Sequence, residues 1–340
     1  MHYKLALLGF GNVGSAFAEL LLRKQAELNE DFDITFSVTG IATGSHGRII
    51  NPDGLDLVKV LAAWQAGSGL EQFNLLPSAD AIDFIKKSGA DVLFENSPVN
   101  YATGQPAIDH LRCALELGMY AITANKGPVV HAWHGLKALA KSRGRQFLHE
   151  STVMDGAPIF SLFRAALPAA RLNSFRAILN STTNLILSRM ESGESFEQAV
   201  KYAQKIGIAE TDPSGDVDGW DAAIKIAALA TVLMNIPLTP AEIDRTGIRD
   251  ITPEMIQAAK AEGKRYKLIC TAERDGDLLR GRVAPELVPM SSPFYSVEGT
   301  TSIVQFNTDV LGSLTLIESD PGKHTTAYGL LADFINAVKA

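Results

Sequence analysis

The chain has 340 residues, 46% of them hydrophobic and 20% charged, with a formal net charge of −7. That length suits two domains with sizeable cores, and the acidic balance leaves no basic footprint for nucleic acid or anionic lipid. Cys113 and Cys270 are the only cysteines, which argues against a disulfide framework and suits a reducing cytosol. No apolar run reaches the ~18 residues of a membrane span, and Met1–Gly9 reads as a first strand, not a signal peptide.

Lys4–Leu8 is a short buried strand, followed at once by Gly9-Phe10-Gly11-Asn12-Val13-Gly14 and a helix from Val13 to about Leu28. A GxGxxG run alone is a weak signal; between a strand and a helix it is a dinucleotide fingerprint. Gly9 permits the tight turn, Gly11 lets a pyrophosphate approach the backbone, and Gly14 lets helix and strand pack closely. The anion would rest on the helix N-terminus, where backbone N–H groups and the dipole favour it. The bland alternative is a glycine-rich turn with no ligand.

The next strand, Ile34–Ile41, runs into Ala42-Thr43-Gly44-Ser45-His46-Gly47-Arg48 with no acidic residue to take the ribose hydroxyls. Arg48, with Lys59 beyond it, favours NADP, with NAD as the alternative; both cations could equally be solvated surface charges. Helices follow at 54–66 and 79–87, then strand Asp91–Glu95, whose carboxyl end carries Asn96-Ser97-Pro98-Val99-Asn100. Helix 105–117 and strand Tyr120–Thr123 lead to a second such loop holding Lys126, a lysine placed toward the nicotinamide region. Helix 129–142 and strand Gln146–His149 complete an alternating run, hence parallel strands with right-handed crossovers. His131 and His134 lie one turn apart with no third ligand nearby and read as structural.

Glu150–Pro158 is an irregular turn whose carboxylate could bind a hard cation through oxygen ligands; otherwise it is a helix start. Beyond it the pattern becomes α+β. Strand Leu172–Leu179 ends at Asn180-Ser181-Thr182-Thr183-Asn184, which opens a helix. Helices at 195–206 and 219–235, a linker-like 238–251 and helix Pro253–Ala261 come next. Antiparallel strands at 264–273 and 278–287, joined by Arg274-Asp275-Gly276-Asp277, precede strands at 302–307 and 313–317 and a last helix, Thr325–Val338. The fold class is therefore α/β: a Rossmann-type parallel sheet plus a second α+β catalytic and dimerisation domain. We place the dinucleotide-binding domain at 1–134 plus 318–340 and the substrate domain at 135–317.

The segment Gly207–Lys225 concentrates chemistry. Glu210, Asp212, Asp216, Asp218 and Asp221 converge on the start of an apolar helix, on which Asp221 and Lys225 stand one turn apart. An exposed ion pair worth a few tenths of a kcal/mol is the bland reading. Extra carboxylates and an apolar wall (Trp220, Ile224, Ala228) point instead to a lysine that transfers a proton to an alkoxide.

In order, GFGNVG (9–14), TANKGP (123–128), ESTVMDGAP (150–158), ILNSTTNLIL (178–187) and E-x-D-P-x-x-D-x-x-G-x-D-x-x-x-K (210–225) resemble homoserine dehydrogenase over nearly the whole chain. The resemblance implies NAD(P)-dependent interconversion of aspartate 4-semialdehyde and homoserine in threonine, methionine and isoleucine biosynthesis. It implies Lys126 and Lys225 as proton-transfer lysines, with Asp221 orienting the substrate. Glu210, Asp216, Thr182 and Ser181 would hold substrate. Gly9, Gly11, Asn12, Val13, Gly14, Ser97 and Lys126 would meet the cofactor. Glu150, with the backbone oxygens of Val153, Asp155 and Ala157, would form a Na+-type site tying the domains together. A cytoplasmic homodimer without nucleic-acid or membrane partners is implied too.

Two departures stand out: Ser181 replaces a common glycine, and Pro321-Gly322-Lys323-His324 replaces a more glycine-rich turn. The chain reaches Ala340 with no appended amino-acid-sensing domain, so threonine feedback through one is not expected. Three alternatives bear on the reading. One is an acylating dehydrogenase, which needs an activated Cys113 or Cys270. The others are a reductase of another small aldehyde and a silent cofactor-binding sensor.

Overall fold

A computed structural model describes residues 1–276 and 278–339; Asp277, in the expected 274–277 turn, and Ala340 lie outside the described residues. Contacts divide the chain into two compact units, one from Met1–Ile159 with the segment from Gly322 onward, the other Phe160–Pro321. The sequence reading puts those boundaries at 134/135 and 317/318. The contacts carry the first unit further because strand Phe147–Leu148 pairs with Tyr120–Thr123.

The first unit comprises β1 (His2–Leu8), α1 (Asn12–Arg23), α2 (Gln25–Phe32), β2 (Thr35–Ala42), β3 (Arg48–Ile50), α3 (Leu57–Gln65), α4 (Ala81–Ser88), β4 (Val92–Glu95), α5 (Ala107–Glu116), β5 (Tyr120–Thr123), α6 (Lys126–Ser142) and β6 (Phe147–Leu148). The sheet order is β3-β2-β1-β4-β5-β6. All neighbours run parallel except β3, an antiparallel edge. Alternation sends Leu5 and Leu7 to one face and Ala6 and Leu8 to the other, and both faces are covered. Phe17 of α1 stacks 4.4 Å from Phe94 of β4, and Phe334 of the Lys323–Lys339 helix packs edge-on against Phe94 at 6.0 Å. The single helix expected over 13–28 is two, breaking at Lys24, which pairs with Glu27.

In the second unit come α7 (Ile159–Ser161, begun in the first), β7 (Leu172–Ile178), α8 (Ser181–Glu191), α9 (Phe196–Lys205), α10 (Ser214–Val217), α11 (Trp220–Leu229), β8 (Asp244–Arg245), α12 (Pro253–Ala261), β9 (Lys264–Asp275), β10 (Leu278–Pro289), β11 (Ser302–Thr308) and β12 (Gly312–Glu318). The sheet order is β12-β11-β7-β9-β10-β8, antiparallel apart from β8 beside β10. Two expectations are corrected. The 238–251 stretch is no mere linker, since β8 joins the sheet. The 219–235 helix ends as a π-turn over Ala230–Met234, closed by left-handed Asn235.

Candidate active site

In the first unit the glycine turn has the form a phosphate cradle requires. Gly9 has φ +98°, and a Cβ there would overlap the Asn96 carbonyl and lie 2.7 Å from Ser97 N. A Cβ on Gly11 would meet nothing within 4 Å. The α1 N-terminus has no side-chain cap and no acidic residue in its first turn, so its N–H groups are open to an anion. Asn12 and Val13 begin that helix. These residues fit a dinucleotide.

Ser97 and Lys126 follow β4 and β5, the first of which pairs with β1 and the second with β4. Asn125 caps α6 by accepting the Gly127 N–H at 2.9 Å, and its Nδ2 donates to the Ser97 carbonyl at 3.0 Å. The loops holding Ser97 and Lys126 are thereby tied together. Arg48 is not freely extended: its guanidinium donates to the carbonyls of Ser78 (3.3 Å) and Ala79 (2.7 Å). Lys59 pairs with Asp56 at 3.1 Å on the surface. Neither cation is poised for a phosphate by these contacts.

Glu150 and Val153 are buried, and Met154 and Asp155 adopt left-handed backbone (φ 51° and 46°) without being glycine. The turn is pinned within the first unit: the Glu150 N–H donates to Asp333 Oδ2 at 2.7 Å, and Thr325 Oγ1 donates to Asp155 Oδ2 at 3.1 Å. Ala157 N–H donates to the Met154 carbonyl at 2.9 Å. His131 meets the Tyr101 carbonyl at 3.0 Å, and among the described residues no three or more His, Cys, Asp and Glu side chains gather as a metal-binding group.

The second unit assembles the acids and the lysine. Lys225 Nζ lies 2.9 Å from Asp221 Oδ2 and donates to the Leu179 carbonyl at 2.7 Å. The two side chains are only 17% and 13% exposed, so the solvated-pair reading does not hold. Asp216 sits on α10, a short helix where a loop was expected. Its carboxyl is held above the ordinary range, first by burial and then by neighbouring Asp221.

The residue that reconciles these two acids is Asn180. Its Nδ2 donates to Asp216 Oδ1 at 2.6 Å and to Asp221 Oδ2 at 3.0 Å, while its Oδ1 caps α8 by accepting the Thr183 N–H at 2.8 Å. Sequence reasoning placed Asn180 in a polar run without giving it a role; its cap was legible, its reach across some forty positions was not. Thr182 also bonds Asp216 and lies 3.4 Å from the Ile208 carbonyl. Ser181 is the first residue of α8. Glu210 is exposed, its backbone carbonyl held by Gln204 at 3.1 Å. Asp218 is taken up by Arg249 instead.

Both cysteines are buried, a poor setting for a nucleophile. Burial pushes the Cys270 thiol up to about 12 and raises Cys113 as well.

The homoserine dehydrogenase family model matches residues 158–335. The chain is 36% identical over 339 residues to an NAD(+)-dependent homoserine dehydrogenase of Pseudomonas canavaninivorans, covering 98% of this chain and 96% of that protein. It is similar in structure to a protein from Archaeoglobus fulgidus assigned as a homoserine dehydrogenase, with TM-score 0.86, 35% identity and 98% of each chain covered. A hyperthermophilic archaeal homoserine dehydrogenase in complex with NADPH gives TM-score 0.84 at 26% identity, over 99% of this chain and 98% of that one.

Proposed function

This chain belongs to the homoserine dehydrogenases, NAD(P)-dependent oxidoreductases acting on a CH–OH group, and we propose how its own residues serve the interconversion of L-aspartate 4-semialdehyde and L-homoserine. The bound nicotinamide supplies or accepts the hydride. Lys225 holds a proton at Nζ for the substrate oxygen, and its charge stabilises the alkoxide as that oxygen gains electron density. The observation that carries this is the mostly buried Lys225–Asp221 pair, fixed by the Leu179 carbonyl. Asp221 orients the ammonium. Asp216 and Glu210 receive the substrate amino group, with Thr182 and Ser181 beside them. A substrate ammonium near Asp216 would favour its ionised form, offsetting the burial that now opposes it. Lys126, first in α6, serves as the second proton-transfer lysine and a cofactor contact.

Gly9, Gly11, Asn12, Val13 and Gly14 would cradle the pyrophosphate, with Ser97 on the neighbouring loop. NADP is our reading of the cofactor, resting on the absence of a carboxylate across Ala42–Arg48; Arg48 and Lys59, as placed, add little to it. A Na+-type cation is proposed at Glu150 with the backbone oxygens of Val153, Asp155 and Ala157, supported by the buried carboxylate and the left-handed turn. A homodimer is proposed through the second sheet, whose edge strand β12 exposes Ile317 at 60%.

The test is steady-state homoserine oxidation with NAD and NADP in turn, beside Lys225→Ala. We expect Lys225→Ala to bind cofactor normally and to turn over at least ~100-fold more slowly. Turnover at the native rate would remove Lys225 from the chemistry.

A further inference from the structure

Behind the Ser97 and Lys126 loops lies a carboxylate to which the proposed mechanism gives no role. Glu95 ends β4 and is 0% exposed. Its Oε1 accepts the Ser97 backbone N–H at 3.3 Å and also the Ser97 hydroxyl. The same oxygen faces Nδ1 of buried His110, on α5, at 3.3 Å. Thr123 Oγ1 lies 2.7 Å from the Glu95 carbonyl and 3.3 Å from Oε2. Thr123 Oγ1 in turn accepts the Asn125 N–H at 2.9 Å. Asn125 closes the circuit by bonding the Ser97 carbonyl and capping the helix that Lys126 begins.

The parallel ladder aligns Glu95 with Thr123 and pairs no residue beyond them on these two strands. Past that point Asn96 alone still reaches the sheet, donating its N–H to the Leu8 carbonyl of β1 at 2.7 Å while its Oδ1 accepts the Ala124 N–H at 3.3 Å. A carboxylate withdrawn from water is tolerated only when its lone pairs are filled, and charge-assisted bonds are the stronger kind. Here the groups that fill them belong to the Ser97 loop, the end of β5 and α5, so one buried side chain fixes the first loop directly and the second through the Thr123–Asn125 bond.

We propose that Glu95, clamped by His110, is a positioning residue that fixes the Ser97 loop and the start of the Lys126 helix as one rigid cradle for the nicotinamide end of the cofactor. This rests on the reading that these loops face the cofactor. Loop order and cofactor affinity should therefore depend on Glu95, while homoserine affinity should not.

The test uses full-length Glu95→Ala, Glu95→Gln, His110→Leu and Ser97→Ala proteins. Cofactor affinity is measured by calorimetric titration, amide hydrogen exchange is followed over 96–100 and 125–127 without cofactor, and KM values are determined for each substrate. Glu95→Ala should weaken cofactor binding about tenfold, speed exchange in both loops, and leave the homoserine KM unchanged. Glu95→Gln, which keeps the shape and one acceptor, should recover most of the affinity. His110→Leu should show the same pattern at smaller amplitude, and it carries the test if Glu95→Ala fails to fold. Native exchange and affinity in Glu95→Ala, or equal losses toward cofactor and homoserine, overturn the proposal. A raised cofactor Kd in Ser97→Ala with a native one in Glu95→Ala overturns the positioning role alone. A native Kd in Ser97→Ala and Glu95→Ala alike removes the loop's assigned cofactor role as well.

Discussion

Asn180→Asp is the sharpest probe of the acid cluster. The substitution nearly preserves shape, and aspartate caps a helix as well as asparagine does, so the Thr183 N–H keeps its acceptor. What disappears is the donor shared by Asp216 and Asp221, at 2.6 and 3.0 Å. Hydrogen bonds to charged groups contribute about 1.5–3 kcal/mol each. Taking the lower value for both gives a loss of about 3 kcal/mol at pH 8, before any repulsion from a third carboxylate. At roughly 2–4 °C per kcal/mol for a body of this size, the transition of the second unit should fall by ~6–12 °C. The pH dependence has a definite sign. Asp216 already titrates above the ordinary range because of burial and Asp221, and Asn180 pulls it down. Without Asn180 it rises further, and a protonated carboxyl no longer needs the donor. The destabilisation should be full above that raised value and should shrink as pH falls through it. Scanning calorimetry of both proteins in a pH series from 8 down into the acid range is the assay, with Asn180→Ala as the variant that loses the cap too. A loss that never shrinks as pH falls, or one under ~1 kcal/mol at pH 8, would refute the bridging role.

Gly9→Ala should raise the cofactor KM and lower stability together, because the position is left-handed and a Cβ would meet the Asn96–Ser97 backbone; native kinetics would contradict it. Lys267 is buried, donates to the Val297 carbonyl at 2.6 Å and to Asn184 Oδ1 at 3.2 Å, and is lowered by burial to about 8. Its folded value lies below the ordinary 10.5, so stability relative to Lys267→Met should climb between those values. The gain should be on the order of 2–3 kcal/mol, measured by urea unfolding at pH 8 and 10; a flat difference would be contrary. The homoserine KM should fall as pH rises through the elevated Asp216 value, and Asp216→Asn should flatten that profile. A thiol reagent at pH 8 should leave activity intact, since both thiols are buried and raised; rapid inactivation would reopen cysteine chemistry.

What the chain betrayed in advance was local and periodic. Strand 4–8, the glycine turn and the start of the helix after it follow from side-chain size and alternation, though the break at Lys24 does not, and Asp221 and Lys225 share a helix face by spacing alone. What it hid was set by tertiary pairing. The strand at 244–245 is two residues long and exists because β10 offers it a partner. The antiparallel edge β3 is fixed by β2, not by any pattern of its own. Arg48 read either as a phosphate ligand or as a solvated charge, and its bonds to the carbonyls of Ser78 and Ala79, some thirty positions on, are invisible from its neighbourhood. Glu95 looked like the end of a buried strand, and only the fold brings His110 and Thr123 to it.

The helix Lys323–Lys339 belongs to the first unit although all of Phe160–Pro321 separates it from the rest of that unit. It seats Phe334 and Leu330 in the core that holds β1 and α1, and its Asp333 receives the Glu150 amide. A ribosome therefore releases the opening sheet long before its closing wedge. The inserted unit can mature while the nucleotide fold waits with apolar residues uncovered, a window in which chaperones or aggregation compete. Slowed translation near residue 320 should lengthen that window, and joining the terminal helix directly behind residue 159 should abolish it.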